Sequence, residues 1–505
     1  MFYQRNQRGV YILRGMEVIA LSGDAYATED ELYKVCHRDN RYLTYSAFRE
    51  DLHYLLKEKY LYLEGRRLYT TLLWRYEQSA AKNLTHILKA PFLCKAQLPE
   101  KLEVNDVQLT EEQRSAVELA LSNRLSLILG GAGSGKTTLV RAIMDRRPSQ
   151  HGWVLCAPTG KAARNLTDRT GFQARTVHSA LGMRPDEDFL SPIAWAHTDL
   201  VIVDEASMMT IEMLAGMLCR APDYCRIVLL GDPNQLLSVG AGNVIPDLLE
   251  LGVPSCRLEC SHRQSEASAG LTRNVTQFPK LLRAADLSFD DSFQMRLLPD
   301  PDIQGAVCEE AAKRYLAGES VQLLSPFNTA TELSVAALNR VLQPRVNPHA
   351  EDTPHVAMKK GPAFWNGDRV MITKNDRDRG CYNGDIGRLF VYPRSDESPR
   401  YSVLLSDGRF PTWETSDGLR HLTLAYAITV HKSQGSEYGT VLMPVARKFS
   451  SMMIRNLLYT AISRAKKQVI LFGEPEALDT AMQCVPRKRR SMLVPKTRMA
   501  LRNAA

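Results

Sequence analysis

Gly130-Gly131-Ala132-Gly133-Ser134-Gly135-Lys136-Thr137 is the stretch from which the rest of the chain is read, with the apolar run 125–129 before it and Leu139, Val140, Ala142 and Ile143 after it. A buried strand, the spacing G-x-x-x-x-G-K-T and an apolar-faced helix make a phosphate-binding loop in its required context. The glycines let backbone N–H groups turn inward onto a triphosphate, and the helix N-terminus adds a partial positive charge. Lys136 is placed to reach the outer phosphates, and the Thr137 hydroxyl to hold Mg²⁺. ATP and Mg²⁺ are the expected ligands.

Three further apolar runs follow, at 154–156, 200–203 and 227–230. They are short and unbroken, as strands buried on both faces are. Each of the four runs leads directly into polar or glycine residues. Ligands of open parallel sheets bind at the carboxyl ends of strands, so the four clusters should converge on one edge. Runs at 321–324, 440–443 and 468–472 predict a second α/β core. Between them, short strands at 369–373, 387–392 and 401–405, with the turn dipeptides Asn383-Gly384 and Asp407-Gly408, predict a small inserted β-barrel. The first hundred residues read as helix, helix and hairpin at 29–35, 45–56 and 60–69, a winged-helix-like order. That module is either a DNA- or partner-contacting domain or a packing unit. The expected units are 1–104, 105–262, 263–344 with 423–485, the insert 345–422, and a tail 486–505. The tail carries Arg487-Lys488-Arg489-Arg490 and is expected to be a mobile basic segment.

The chain has 505 residues, 44% hydrophobic and 24% charged, which implies several domains with large cores. Its net charge of +8 is compatible with a polyanionic partner without establishing one. No basic start leads into an apolar segment, and no run approaches the roughly 18 apolar residues of a membrane span. Ten scattered cysteines without a CxxC pair suggest a reducing cytoplasm. Cys256, Cys260 and His262 lie close together, but a metal site needs about four ligands and no fourth is found, so they read as structural.

Val201-Ile202-Val203-Asp204-Glu205 is an apolar strand ending in two carboxylates. Asp204 is placed to hold Mg²⁺, and Glu205 to orient and deprotonate the attacking water. Gly231-Asp232-Pro233-Asn234-Gln235 ends the next strand. Gln235 is a candidate sensor of the γ-phosphate or the water, against a plain turn. Developing phosphoryl charge calls for arginines. Arg263 and Arg464 are candidates that spacing alone cannot place.

In motif order over about residues 105 to 485, the chain resembles a superfamily 1 helicase of the RecD-like group, which moves 5′ to 3′. Leu109-Thr110-Glu111-Glu112-Gln113, Ala157-Pro158-Thr159-Gly160-Lys161, Thr176-Val177-His178, Asp204-Glu205-Ala206-Ser207-Met208, Gly231-Asp232-Pro233-Asn234-Gln235-Leu236 and Thr429-Val430-His431-Lys432-Ser433-Gln434-Gly435-Ser436-Glu437 carry the resemblance. It implies an α/β chain with two RecA-like parallel-sheet cores, an SH3-like inserted barrel over the DNA channel, and a small N-terminal winged-helix-like domain. It implies nucleotide contacts at Gln113, at Gly131, Ala132, Gly133, Ser134, Gly135, Lys136, Thr137 and Thr138, and at Gly435 and Glu437. Arg263 and Arg464 fall where the family supplies its γ-phosphate arginines. The strand contacts it implies are Pro158, Thr159, Gly160, Lys161, Thr176, His178, Asn328, Thr429, His431, Lys432, Ser433 and Gln434. Long members carry N-terminal helix-hairpin-helix repeats that this sequence does not show. A duplex-splitting pin would fall within 181–199, where only Arg184-Pro185-Asp186 signals a turn. Trp365, Phe364 and Trp413 are either base-stacking or barrel-core residues.

The expected partners are single-stranded DNA and its junctions with duplex, with protein partners possible through the N-terminal domain. The process implied is repair, recombination or mobile-element and defence work. Two readings compete with a 5′ to 3′ translocase: an ATP-gated strand-binding subunit of a larger complex, and an RNA-directed helicase of the same superfamily.

Overall fold

The computed structural model describes residues 8–503 apart from 91–95, 100, 105–106, 147–151, 184–188, 191–194, 196, 260–268, 330, 351–352, 357–362, 377, 393–399, 415 and 449–452. The first core is a six-stranded sheet, and every pairing in it is parallel. Its spatial order is Ser255–Leu258, Leu125–Gly130, Arg226–Gly231, Thr198–Val203, Gly152–Ala157 and Arg175–Thr176. Leu125–Gly130 and Thr198–Val203 are buried at every position, as strands covered on both faces must be. The four expected apolar runs are four of these strands. Their polar sequels therefore share the carboxyl edge.

The second core is a five-stranded parallel sheet. Its order is Phe293–Leu297, Ala465–Gly473, Tyr438–Val445, Val321–Ser325 and Ala427–Thr429. Two of these strands were not legible in the sequence. Phe293–Leu297 has the half-exposed pattern of an edge, and Ala427–Thr429 is three residues long. The insert is antiparallel, in the order Thr412–Trp413, Arg400–Leu405, Ile386–Tyr392, Arg369–Ile372 and Leu422–Leu424. Phe364 and Trp413 are buried in it, and Trp413 lies parallel to Tyr401 at 5.3 Å. Trp365 is stacked on His349 at 3.7 Å. Phe364 and Trp413 therefore serve packing, and Trp365 is half-buried against the exposed His349 and His355. The insert is tied to the second core through Asp368, a fully buried carboxylate. It accepts from the Trp365 N–H (2.7 Å), Gln343 Nε2 (2.6 Å), Asn347 Nδ2 (2.9 Å) and the Tyr426 hydroxyl (2.9 Å). Four donors offset the desolvation that burying this charge costs.

The N-terminal region has one helix more than its sequence suggested. Val10–Leu21, Glu29–Asp39 and Tyr45–Lys57 precede the hairpin Leu61–Glu64/Arg67–Thr70. A boundary at residue 104 is not where packing changes. Helix Thr71–Lys89 lies against Ile211–Arg220 of the first core, and Leu73, Tyr76, Leu84, Leu214 and Met217 share one cluster.

The basic tail is a packed strap rather than a mobile segment. Arg487 and Arg490 both reach Asp24, which is 1% exposed, and Arg490 also reaches Glu31. Beyond them, helix Leu493–Arg502 packs on Thr71–Lys89. Lys496 there is buried between Glu77 (3.2 Å) and Glu64 (3.3 Å), above the Tyr69 ring. A charge run reads as solvated in a sequence, and here its counter-charges lie some 460 positions away.

Lys496→Met should destabilise the chain by about 3–5 kcal/mol, because Glu77 is left buried without its cation. Denaturant midpoints of the two proteins measure this, and equal midpoints would refute the pairing.

Candidate nucleotide and strand sites between the two cores

Gly133 and Gly135 have φ of 80° and 82°, which only glycine adopts without strain, and helix Lys136–Asp145 starts directly after them. Gly135 caps that helix without a side chain, so its first-turn N–H groups have no side-chain acceptor there. Ser134 Oγ donates to the Gly131 carbonyl at 2.9 Å. Lys136 Nζ donates to the Gly130 and Gly131 carbonyls at 2.6 and 2.9 Å. A Cβ at Gly131 would stand 3.0 Å from the hydroxyl of Tyr459, a second-core residue. Ala132 packs against the second-core cluster.

Asp204 follows strand Thr198–Val203 and continues its pairing through a 3.0 Å bond from its N–H to the Cys156 carbonyl. Its Oδ1 accepts the Glu205 N–H at 2.9 Å. Burial raises the Asp204 carboxyl above the usual carboxylate range, the neighbouring Glu205 charge adds to this, and Lys136 opposes it. Glu205 has φ of 53°, a left-handed backbone that a non-glycine residue rarely adopts. One cavity is lined by Thr137, Asp204 and Glu205 of the first core and by Gly435, Glu437 and Arg464 of the second. Arg464 is buried, and its Nε donates to the Thr460 carbonyl at 3.2 Å. The Glu437 carboxylate is taken up by Arg169 across the cleft (2.6 Å) and by Lys466 (3.2 Å). Gln113 is buried in a capping box, its Oε1 accepting the Thr110 N–H at 3.1 Å. Arg263, the Cys260 and His262 pair and most of the pin stretch lie outside the described residues.

The stretch 231–236 meets second-core helix Arg455–Ile462 through hydrogen bonds and through Leu236, whose side chain is buried in the apolar cluster of the second core. Asp232 Oδ2 accepts the Tyr459 hydroxyl at 2.7 Å and Gln235 Nε2 at 3.3 Å. The Leu236 N–H donates to Thr460 Oγ1 at 2.8 Å, and Asn456 Nδ2 donates to the Gln235 carbonyl at 3.0 Å. Asn456, Tyr459 and Thr460 were missed as site residues. Their signal was present: a polar stripe at helical spacing on a helix that is otherwise apolar.

The strand side is more divided. Thr159, Thr176 and Thr429 each stand just past or at the end of a strand and accept a backbone N–H three residues on. His178, Asn328, His431 and Lys432 are exposed and Pro158 is buried. Three expected strand contacts turn elsewhere. Ser433 is buried and donates to the Val430 carbonyl at 2.7 Å. Gln434 Nε2 donates to the Leu236 carbonyl at 3.2 Å, which joins it to the coupling stretch. Lys161 Nζ donates to the Gly384 carbonyl of the insert at 3.2 Å, and burial lowers its ammonium to about 8. Gly160 lines a groove between the first core and the insert, with Arg164, Arg175, Thr176, Tyr382 and Arg409.

Three family models match this chain: an AAA domain at 108–278, an "ATP-dependent RecD-like DNA helicase SH3 domain" at 338–403, and a UvrD-like helicase C-terminal domain at 424–472. The chain is 30% identical over 411 residues to the RecBCD enzyme subunit RecD of Mycolicibacterium smegmatis, covering 74% of this chain and 72% of that one. It belongs to the RecD-like superfamily 1 helicases. The ATP-dependent RecD2 DNA helicase of Deinococcus radiodurans is 34% identical over 392 residues, 77% of this chain. The RecD-like chain spans about half of that relative's length, 52%. A Bacteroides Pif1 structure bound to ssDNA superposes with a TM-score of 0.45 at 20% identity, covering 72% of this chain and 92% of that one.

Tyr459→Phe removes one buried donor from Asp232 and should cost this RecD-like chain about 1–3 kcal/mol. A shift of the denaturation midpoint measures it, and an unchanged midpoint would show that the bond carries nothing between the cores.

Proposed function

We propose that the chain is an ATP-driven translocase that moves 5′ to 3′ on single-stranded DNA and separates duplex ahead of it. The observation that carries the reading is the single cavity in which Thr137, Asp204 and Glu205 of one core face Arg464 of the other. The P-loop N–H groups and Lys136 would hold the β- and γ-phosphates. Glu205, placed at the strand end on its left-handed backbone, would take the proton of the attacking water. Arg464, and Arg263 by family position, would neutralise the charge that builds on the transferring phosphoryl group. The residues fit a divalent ion: the Thr137 hydroxyl and Asp204 carboxylate lie in the same cavity, and Mg²⁺ there would neutralise phosphate charge.

Gln235 is the natural reporter of the γ-phosphate, because its Oε1 is buried with no partner among the described residues while its backbone is gripped by the second core. Closure of the cleft brings Arg464 to the γ-phosphate, and phosphate loss relaxes it, so the nucleotide biases one state of the pair. Thr159, Thr176 and His178 of the first core and Asn328, Thr429, His431 and Lys432 of the second would grip the strand in turn. Contacts of this kind bind backbone and are indifferent to sequence. Gly435 contributes to the nucleotide side, whereas Glu437 acts through its pairing with Arg169. Among the described residues no helix is long and apolar enough to cross a membrane. The expected setting is the cytoplasm, in repair, recombination or defence against mobile elements.

The deciding experiment is strand displacement by the purified chain on duplexes with a 5′ or a 3′ tail, with Lys136→Ala as control. Unwinding from the 5′ tail alone is expected. Unwinding from the 3′ tail would overturn the direction, and strand-stimulated hydrolysis without unwinding would favour a gated subunit of a larger assembly. Glu205→Gln should slow turnover by about 10²–10⁴-fold while leaving ATP binding intact, since it removes only the base. Turnover at the unaltered rate would take Glu205 out of that role.

A further inference from the structure

The strap that follows helix Pro475–Gln483 does more than close the chain. Arg487 and Arg490 face the N-terminal region, where the Arg490 carbonyl accepts the Ala25 N–H at 2.8 Å and the Arg490 N–H reaches Asp24 at 2.8 Å. Arg489, between them, turns the other way into the loop 238–242. Its Nη1 donates to Ser238 Oγ (2.9 Å) and to the carbonyls of Gly240 (3.2 Å) and Gly242 (3.0 Å), and its Nη2 to the Ser238 carbonyl (2.6 Å). Gly23 closes the site from the N-terminal side. A Cβ there would collide with the Arg489 guanidinium, and the Gly23 carbonyl accepts the Gly242 N–H at 3.0 Å.

The position of this loop gives the contact its meaning. It leaves the coupling stretch 231–236, which the second core grips through Asn456 and Thr460. Gly240 and Gly242 have φ of 133° and 112°. A segment with two such glycines has many conformers when unrestrained, and fixing it costs backbone entropy. Arg489 fixes it with four bonds from one planar fork, a geometry that a lysine ammonium does not reproduce. The coupling stretch in turn touches the stretch 429–434, through the Gln434 Nε2 bond to the Leu236 carbonyl at 3.2 Å.

We propose that Arg489 is a positioning residue that holds the loop 238–242 at the end of the coupling stretch, so that cleft closure is passed through Leu236 and Gln434 to the strand-gripping residues 429–432. The proposal rests on the translocase reading above. Loss of Arg489 should leave ATP hydrolysis and strand affinity in place and uncouple them.

The test is made on the full chain with Arg489→Ala, Arg489→Lys and Asp24→Asn, the last loosening the strap while keeping the Arg489 side chain. The readout is nucleotides travelled per ATP, the ratio of strand-translocation rate to strand-stimulated hydrolysis rate, which does not depend on the fraction of protein folded. Arg489→Ala should lower this ratio about tenfold, within the usual range for coupling between sites. Arg489→Lys should recover little of it, and Asp24→Asn should lower it in the same direction. An unchanged ratio, with hydrolysis, affinity and unfolding midpoint falling together, would make Arg489 a stability residue and overturn the proposal. Full rescue by lysine would overturn it as well, since charge alone would then suffice. If the unaltered chain shows no strand-stimulated hydrolysis that Lys136→Ala abolishes, the translocase reading fails first, and this is seen before any Arg489 variant is compared.

Discussion

The bond from the Tyr459 hydroxyl to Asp232 is the contact on which the arrangement of the two cores depends. It places a second-core helix directly over the phosphate loop, close enough that residue 131 can carry no side chain without crowding it. Around it, Asn456, Thr460 and Gln434 make hydrogen bonds to the stretch 235–236, and the Leu236 side chain is buried in the second-core cluster. An interface of this kind mixes buried hydrogen bonds with apolar contacts at Leu236 and Ala132. Its hydrogen-bonded groups can exchange partners for water at small net cost, whereas separating its apolar contacts costs free energy in proportion to their area.

The first-core helix Gly160–Thr170 is the second place where the units meet. Lys161 and Arg164 contact the insert, at Gly384 and Asp407, while Asn165 and Arg169 contact the second core, at Gly435 and Glu437. These positions recur at helical spacing along one side of one helix. A movement of either neighbour is therefore felt by the same rigid rod, whose N-terminal cap is Thr159. The insert cannot drift independently of the second core, because the saturated Asp368 network binds it there.

Much of the site was legible in the residues themselves. The phosphate loop could be read because its requirements are local: a strand, two glycines at positive φ and a helix start lie within a dozen residues. Asp204 and Glu205 could be read because they end a strand whose burial shows in its composition. The barrel strands announced themselves as short runs separated by turn dipeptides. The strand Ala427–Thr429 did not, because three residues carry no period, and helix Thr71–Lys89 gave no sign of which unit it would join.

What the sequence by itself determined is the chemistry at the carboxyl edge of the first sheet, since each group there is positioned by its own neighbours in the chain. What only the tertiary structure decided is which polar side chains face partners rather than solvent or strand. Lys161 and Gln434 read as strand contacts and Arg489 as part of a mobile basic tail, yet each is spent on a backbone carbonyl 198 to 251 positions away. Backbone acceptors are present at every residue and carry no mark in the sequence, so a bond to one of them becomes visible only when the fold brings the two segments together.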